Sequence, residues 1–253
     1  SGIVKSRRHP GIYWVHNDSG NAPAIFAVRR DGTLVREYAV AAPNIDWEDI
    51  ATDDQGRLYL GEIGNNGGRL PLRAIHRIDE PDPKVASKTP LPVTLTSYYR
   101  FSSKKDDPGR FDAESLFIDG GRAVLVAKTF DGRDAELFSL PLDPPAPLLK
   151  PAIPEALGRL EGFTEPATGA DLSADGRRLA VCTYRSARVY ERTGRGPWVR
   201  VAAVPFKAEG IEAICWDGND LLLAGEGRGM FRIPEAAWRT KGAPAHDDPA
   251  GAR

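Results

Sequence analysis

Short apolar or alternating runs, broken roughly every 8–12 residues by turn-forming pairs, extend from the first residues of this chain to about Ile233. Alternation on that scale marks β-strands, and the turn pairs between the runs mark hairpins. Segments 1–16, 46–62, 112–128, 168–183 and 210–225 follow one plan: an apolar strand, a turn rich in Asp, Gly or Asn, a second apolar strand and a polar cluster. The turn pairs Gln55-Gly56, Gly120-Gly121, Asp175-Gly176 and Asp217-Gly218 supply the positive φ that tight hairpins require. Third strands are predicted at 24–28, 74–78, 136–140, 188–192 and 229–233, with outer strands at 34–40, 94–101 and 199–206.

Five copies of a four-stranded unit predict an all-β fold, a β-propeller of five four-stranded blades. The fifth blade lacks an outer strand, and the Pro-rich segments 80–92 and 141–154 read as insertions between strands, so six-bladed closure stays open as an alternative. A single domain is expected over 1–240, followed by a flexible tail over 241–253, which is small, polar and Pro-broken.

Composition supports this picture and narrows the partners. The 26 Gly and 21 Pro suit many short strands joined by turns. Lys and Arg total 34 against 35 for Asp and Glu, so no long-range field draws polyanions, and nucleic acid is not expected as a partner. No apolar run is long enough for a membrane span, so no membrane insertion is expected. The chain opens on Ser1 without Met: either a leader has been removed or the chain has been trimmed, and the first reading makes the protein secreted or periplasmic. Cys182 and Cys215 lie inside apolar runs and read as buried free thiols on neighbouring strands, with a disulfide as the alternative.

Superposing the repeats aligns Glu48, Glu114 and Glu212, each two residues before an aliphatic residue. The first strand of each propeller blade lines the axis, so three carboxylates from three blades should face one small volume. Like charges in a partly desolvated space take up protons or a cation. Hard oxygen donors favour Ca²⁺, with Mg²⁺ as an alternative, and Asn17, Asp18, Glu62, Asn65 and Asn66 are candidate supplementary ligands. Asp46 and Asp49 read as flanking groups, Asp171 as the counterpart of Asp49, and Lys128, aligned with Glu62 and Asn17, as an internal salt-bridge partner of the glutamates. His16, at a strand end beside Asn17 and Asp18, is the candidate general base, with Asp18 as an alternative. No nucleophile elbow, phosphate loop, His-Glu-x-x-His or Cys-x-x-Cys motif occurs.

Tyr13-Trp-Val-His-Asn-Asp-Ser-Gly20, Asn44-Ile-Asp-Trp-Glu-Asp-Ile-Ala51, Gly61-Glu-Ile-Gly-Asn-Asn66 and Thr168-Gly-Ala-Asp-Leu-Ser-Ala-Asp-Gly176 resemble a family of largely uncharacterised bacterial exported β-propellers. In that family the third string carries Asp where this chain has Glu62 and Asn65, a departure that bears on any metal site there. The repeat plan and acidic channel also resemble calcium-dependent gluconolactonase-like and phytase-like propellers. That likeness implies a calcium-dependent hydrolase of a lactone, ester or phosphoester. Two other readings remain open. One is a non-catalytic binding or scaffold propeller with a structural ion, whose channel mouth holds a small-molecule or glycan ligand. The other is a glycosidase that uses the channel carboxylates as acid and base.

Overall fold

A computed structural model describes residues 1–65, 68–101, 111–129, 132–225, 227 and 229–239. The expected tail, 241–253, and Asn66 lie outside the described residues.

Five antiparallel sheets form in chain order. The first contains β1 (Ile3–Lys5), β2 (Tyr13–His16), β3 (Ala24–Val28) and β4 (Leu34–Ala39). The second contains β5 (Trp47–Thr52), β6 (Arg57–Glu62), β7 (Arg73–Asp79) and β8 (Val93–Tyr99). The third contains β9 (Ala113–Asp119), β10 (Arg122–Ala127), β11 (Ala135–Pro141) and β12 (Glu155–Leu160). The fourth contains β13 (Ala167–Leu172), β14 (Arg178–Thr183), β15 (Ser186–Glu191) and β16 (Val199–Pro205). The fifth has three strands among the described residues: β17 (Ile211–Asp217), β18 (Asp220–Gly225) and β19 (Met230–Ile233), followed by the short helix α1 (Glu235–Trp238). No helix among the described residues is long and apolar enough to cross a membrane.

The inner strands touch in a ring: β1 against β5, β5 against β9, β9 against β13, β13 against β17, and β17 back against β1. Five blades therefore close the ring, and six-bladed closure is excluded. Segments 80–92 and 141–154 connect third to fourth strands within blades two and three instead of forming a sheet. The hairpin glycines adopt the expected left-handed conformation, with φ of 73° at Gly56, 69° at Gly176 and 67° at Gly218. Cys182 and Cys215 are free and buried.

Each pair of neighbouring blades shares an apolar layer, because each sheet must bury both faces. The layer between blades five and one is the thinnest. It buries six apolar residues, including Ile3, Tyr13 and Leu222, whereas the layer between blades two and three buries fourteen. Among the described residues, no sheet combines strands from the first and fifth blades. Polar contacts reinforce this seam instead: Asp217 accepts from Lys5 at 2.7 Å and pairs with Arg30 at 2.8 Å, and it also bonds the Tyr13 hydroxyl.

Candidate metal centre in an axial cleft

Strand register explains how the glutamates reach the axis. In blade two, Trp47 pairs with Glu62 and Asp49 with Gly61, which leaves Glu48 as the extra residue of a β-bulge. The same irregularity isolates Glu114 in β9, Thr168 in β13 and Glu212 in β17. A bulge re-aims its extra side chain and interrupts the ladder, and these four sit near the N-terminal ends of the inner strands. All four line one cleft of about 210 Å³, together with Ser1, Asp18, Lys128 and Tyr184. Glu48, Glu114 and Glu212 thus face a common volume, and Thr168 is their counterpart in blade four.

On one side of this cleft, one carboxylate oxygen each from Asp18, Asp46 and Glu48 lies within 4.8 Å of the others. Glu48 is 7% exposed, and its Oε1 has no hydrogen-bond partner among the described residues. Burial, then Asp18, Asp46 and Asp112 in turn, push the Glu48 carboxyl up to about 9. Burial followed by Asp112 and Asp18 raises Asp46 as well, and burial raises Asp112. These groups sit where ionisation is costly without a cation.

The surrounding loops are hydrogen-bonded to hold this arrangement. Glu62 accepts from the backbone N–H of Ile45, at 3.0 Å, and from that of Asp46. Gly64 N–H donates to Asp46 O at 3.2 Å. Asn65 N–H donates to Asp112 Oδ1 at 2.6 Å, and Asn44 Nδ2 to Asp18 O at 3.1 Å. Gly64 is also the space-maker: a Cβ there would stand 2.5 Å from Asp46 Cγ and closer still to Glu48 Oε1 and Asp46 Oδ2.

Lys128 Nζ pairs with Glu114, and both side chains are more than nine-tenths buried. Its charge also reaches Glu48, Asp46 and Asp112 and favours their ionised forms. The Ser1 amino group lies 3.8 Å from Glu212.

Several expected residues occupy other places. His16 does not line the cleft: it is 3% exposed, stands edge-on to Trp47 with ring centroids 5.8 Å apart, and bonds Asn17 O through Nδ1 at 2.9 Å. Its Nε2 faces the backbone of Gly2, where a Cβ would come within 2.6 Å, and burial lowers its pKa to about 3. The imidazole is therefore held neutral and packed against Trp47 and Gly2, away from the cleft. The Asn17 side chain is exposed and outside the cleft. Glu62 and Asn65 are buried loop organisers. The first is occupied by two backbone donors, and Asn65 Oδ1 accepts from Leu70 N–H at 2.8 Å. The register puts Lys128 one place beyond the counterpart of Glu62, alongside Tyr184.

Asp49 and Asp171 are structural. Asp49 Oδ2 accepts from Leu116 N–H at 2.9 Å and Ala170 N–H at 3.3 Å, tying three inner strands together. Asp171 Oδ2 accepts from Trp216 N–H at 2.8 Å. Asp171 lies two places further along its strand than the counterpart of Asp49, so the two are not equivalent. Asp46, expected only as a flanking group, belongs to the acidic cluster itself, and Asp112 is a site residue to which the sequence assigned no role. Each stands two residues before a bulge glutamate, a repeat-level signal that links them.

Fold and site together define a five-bladed β-propeller with an acidic axial cleft. No family model matches the chain, and no curated protein matches it. Among solved structures, it is similar to a chain of a nidogen/laminin complex at 10% identity and a TM-score of 0.51, covering 93% of this chain and 75% of that one. It is similar to virginiamycin B lyase from Staphylococcus aureus at 15% identity and a TM-score of 0.44, covering 91% and 64% respectively. The Dos1 propeller gives 9% identity and a TM-score of 0.43, and the match spans 55% of that chain's length. At such identities the likeness is one of fold, and fold does not fix function.

Proposed function

We propose that this protein is a calcium-binding propeller whose axial cleft holds a small ligand and hydrolyses it. The observation that carries the cation is the meeting of Asp18, Asp46 and Glu48 around a buried, unpartnered carboxylate oxygen, beside a glycine that keeps the space open. Three carboxylates and no sulfur or imidazole donor suit a hard cation, Ca²⁺ before the smaller and stricter Mg²⁺. Bound there, the cation would polarise a carbonyl or phosphoryl oxygen. Glu212, with its side chain 22% exposed in the cleft, is the carboxylate suited to take a proton from water or a ligand hydroxyl. A secreted or periplasmic setting fits this reading, since extracellular calcium modules work with affinities of about 10⁻⁴–10⁻³ M.

The test is a calcium titration followed by melting, with the Asp46→Asn, Glu48→Gln double variant in parallel. Saturable stabilisation of the wild type, lost in the variant, supports the cation site, and indifference to both calcium and magnesium overturns it. Turnover of lactone or ester substrates that chelation abolishes supports the hydrolase. Calcium stabilisation with a silent substrate panel makes the cleft a binding site for a small-molecule or glycan ligand.

A further inference from the structure

A second group of buried polar side chains lies outside the cleft lining, in the layer between blades two and three. Arg73 opens β7 and Tyr99 closes β8, and the strand register sets them directly opposite one another. Arg73 is 2% exposed and Tyr99 is fully buried. Phe101 contacts both: its ring centre stands 5.1 Å from Arg73 Cζ and 5.8 Å from the Tyr99 ring. It packs in turn against Phe111 at 5.0 Å and Phe138 at 4.9 Å.

The donors in this group outnumber their acceptors. A guanidinium carries five N–H groups and accepts nothing. Arg73 Nη2 donates to Phe111 O at 2.7 Å, whereas Nε and Nη1 are buried without a partner, and so is the Tyr99 hydroxyl. Burial pushes the pKa of that hydroxyl up, so it keeps its proton and remains a donor. Buried polar groups are almost always hydrogen-bonded, and one that is not calls for a water or an ion. Water would meet the N–H groups but not the charge, and arginine does not give up its proton in proteins. Among the described residues, Asp112 and Asp46 reach Arg73 through their fields without bonding it. The face of Phe101 attracts the charge but offers no lone pair of the kind an N–H seeks. A charge left unpaired in such surroundings is costly, and an anion answers both deficits at once.

We propose that Arg73 and Tyr99 form an internal site for a small monovalent anion of the halide class, held by Arg73 Nε–H and Nη1–H and by the Tyr99 hydroxyl. One guanidinium balances one negative charge, and the depth of both side chains excludes an organic ligand. The site is independent of the cation reading of the cleft, because its donors need acceptors whether or not an ion sits at Asp18, Asp46 and Glu48.

The experiment melts the full chain in chelator at constant ionic strength, with chloride or bromide exchanged for gluconate, an anion too large to enter. The expected result is a saturable rise in melting temperature with either halide, about 5–10 °C at a hundredfold excess over Kd. Tyr99→Phe keeps the ring and deletes one donor, so bromide affinity should fall by about tenfold. Arg73→Met keeps the length and removes the charge, so the halide response should disappear. A crystal grown in bromide should show an anomalous peak beside Arg73 Nε, Arg73 Nη1 and the Tyr99 hydroxyl oxygen, and this peak and Tyr99→Phe decide the matter should Arg73→Met fail to fold. Equal melting in halide and gluconate overturns the proposal, as does a halide response that survives intact in either variant or a bromide peak found only elsewhere. A response that emerges only in the Asp106→Asn, Asp107→Asn double variant also overturns it, since the chain then supplies the anion itself from outside the described residues.

Discussion

Replacing Gly64 by Ala is the sharpest single perturbation of the acidic cluster. Gly64 is not among the left-handed glycines, so alanine meets no backbone penalty and the whole effect comes from its methyl group. That methyl would overlap Glu48 Oε1 and Asp46 Oδ2, and neither carboxylate moves freely. Glu48 is buried, and the backbone of Asp46 is held by Glu62 and Gly64. Overpacking of this kind costs about 1–3 kcal/mol of stability. Its larger effect falls on the cation. At a hundredfold excess over Kd, a ligand contributes about 2.7 kcal/mol of stability. In a chain of this size that corresponds to roughly 5–10 °C of melting temperature, at about 2–4 °C per kcal/mol. Gly64→Ala should lose most of that calcium-dependent increment while keeping a cooperative transition in chelator. The assay is differential scanning fluorimetry with and without calcium. If Gly64→Ala gains as many degrees from calcium as the wild type, the argument that Gly64 keeps space for an ion between Asp46 and Glu48 fails.

Other expectations follow from the same geometry. Lys128→Met removes the positive charge beside Asp46 and Glu48, so calcium affinity measured by calorimetry should rise by about tenfold, given the strength of charge interactions in partly buried sites; unchanged affinity would contradict it. Asp217→Ala removes the polar clasp on the thinnest inter-blade layer. Lys5 and Arg30 are more than a third exposed, so the loss should be about 1–3 kcal/mol in urea unfolding, and a neutral effect would show that the seam holds by its apolar layer alone. In chelator, the Glu48 carboxyl keeps its proton in the fold up to about 9 but releases it near 4.5 when unfolded. The stability it lends is complete below the lower value and is lost as pH rises toward the upper one. Wild type minus Glu48→Gln melting temperature should therefore fall between pH 5 and pH 9, and a rise would reverse the sign of the argument.

The fold was legible because strand period and turn chemistry agree at nearly every blade. The hairpins at Gly56, Gly176 and Gly218 announce themselves through their neighbours, and the third strands fall within about two residues of their expected ends, the usual boundary error. The outer strand Glu155–Leu160 was invisible because five of its six residues are exposed, which leaves no buried face to impose alternation. Repeat superposition found Glu48, Glu114 and Glu212, since identical residues at identical repeat positions share one geometry. It could not see the bulges, each of which shifts by one residue which side chains face the axis. Lys128 and Glu62 are not counterparts for another reason: three residues, 54–56, turn the hairpin of blade two, and only Gly120 and Gly121 turn that of blade three. His16 misled because a strand end beside polar residues looks open in sequence, whereas here Gly2 and Trp47 close over the ring.

The central claim is that Asp18, Asp46 and Glu48 surround a divalent cation at the mouth of the axis. A crystal grown in calcium, examined for anomalous scattering, tests it most directly. The account predicts a single strong peak bounded by those three carboxylates and flanked by Gly64. A cleft holding only water, or an ion held by Glu114 and Glu212 instead, would contradict it.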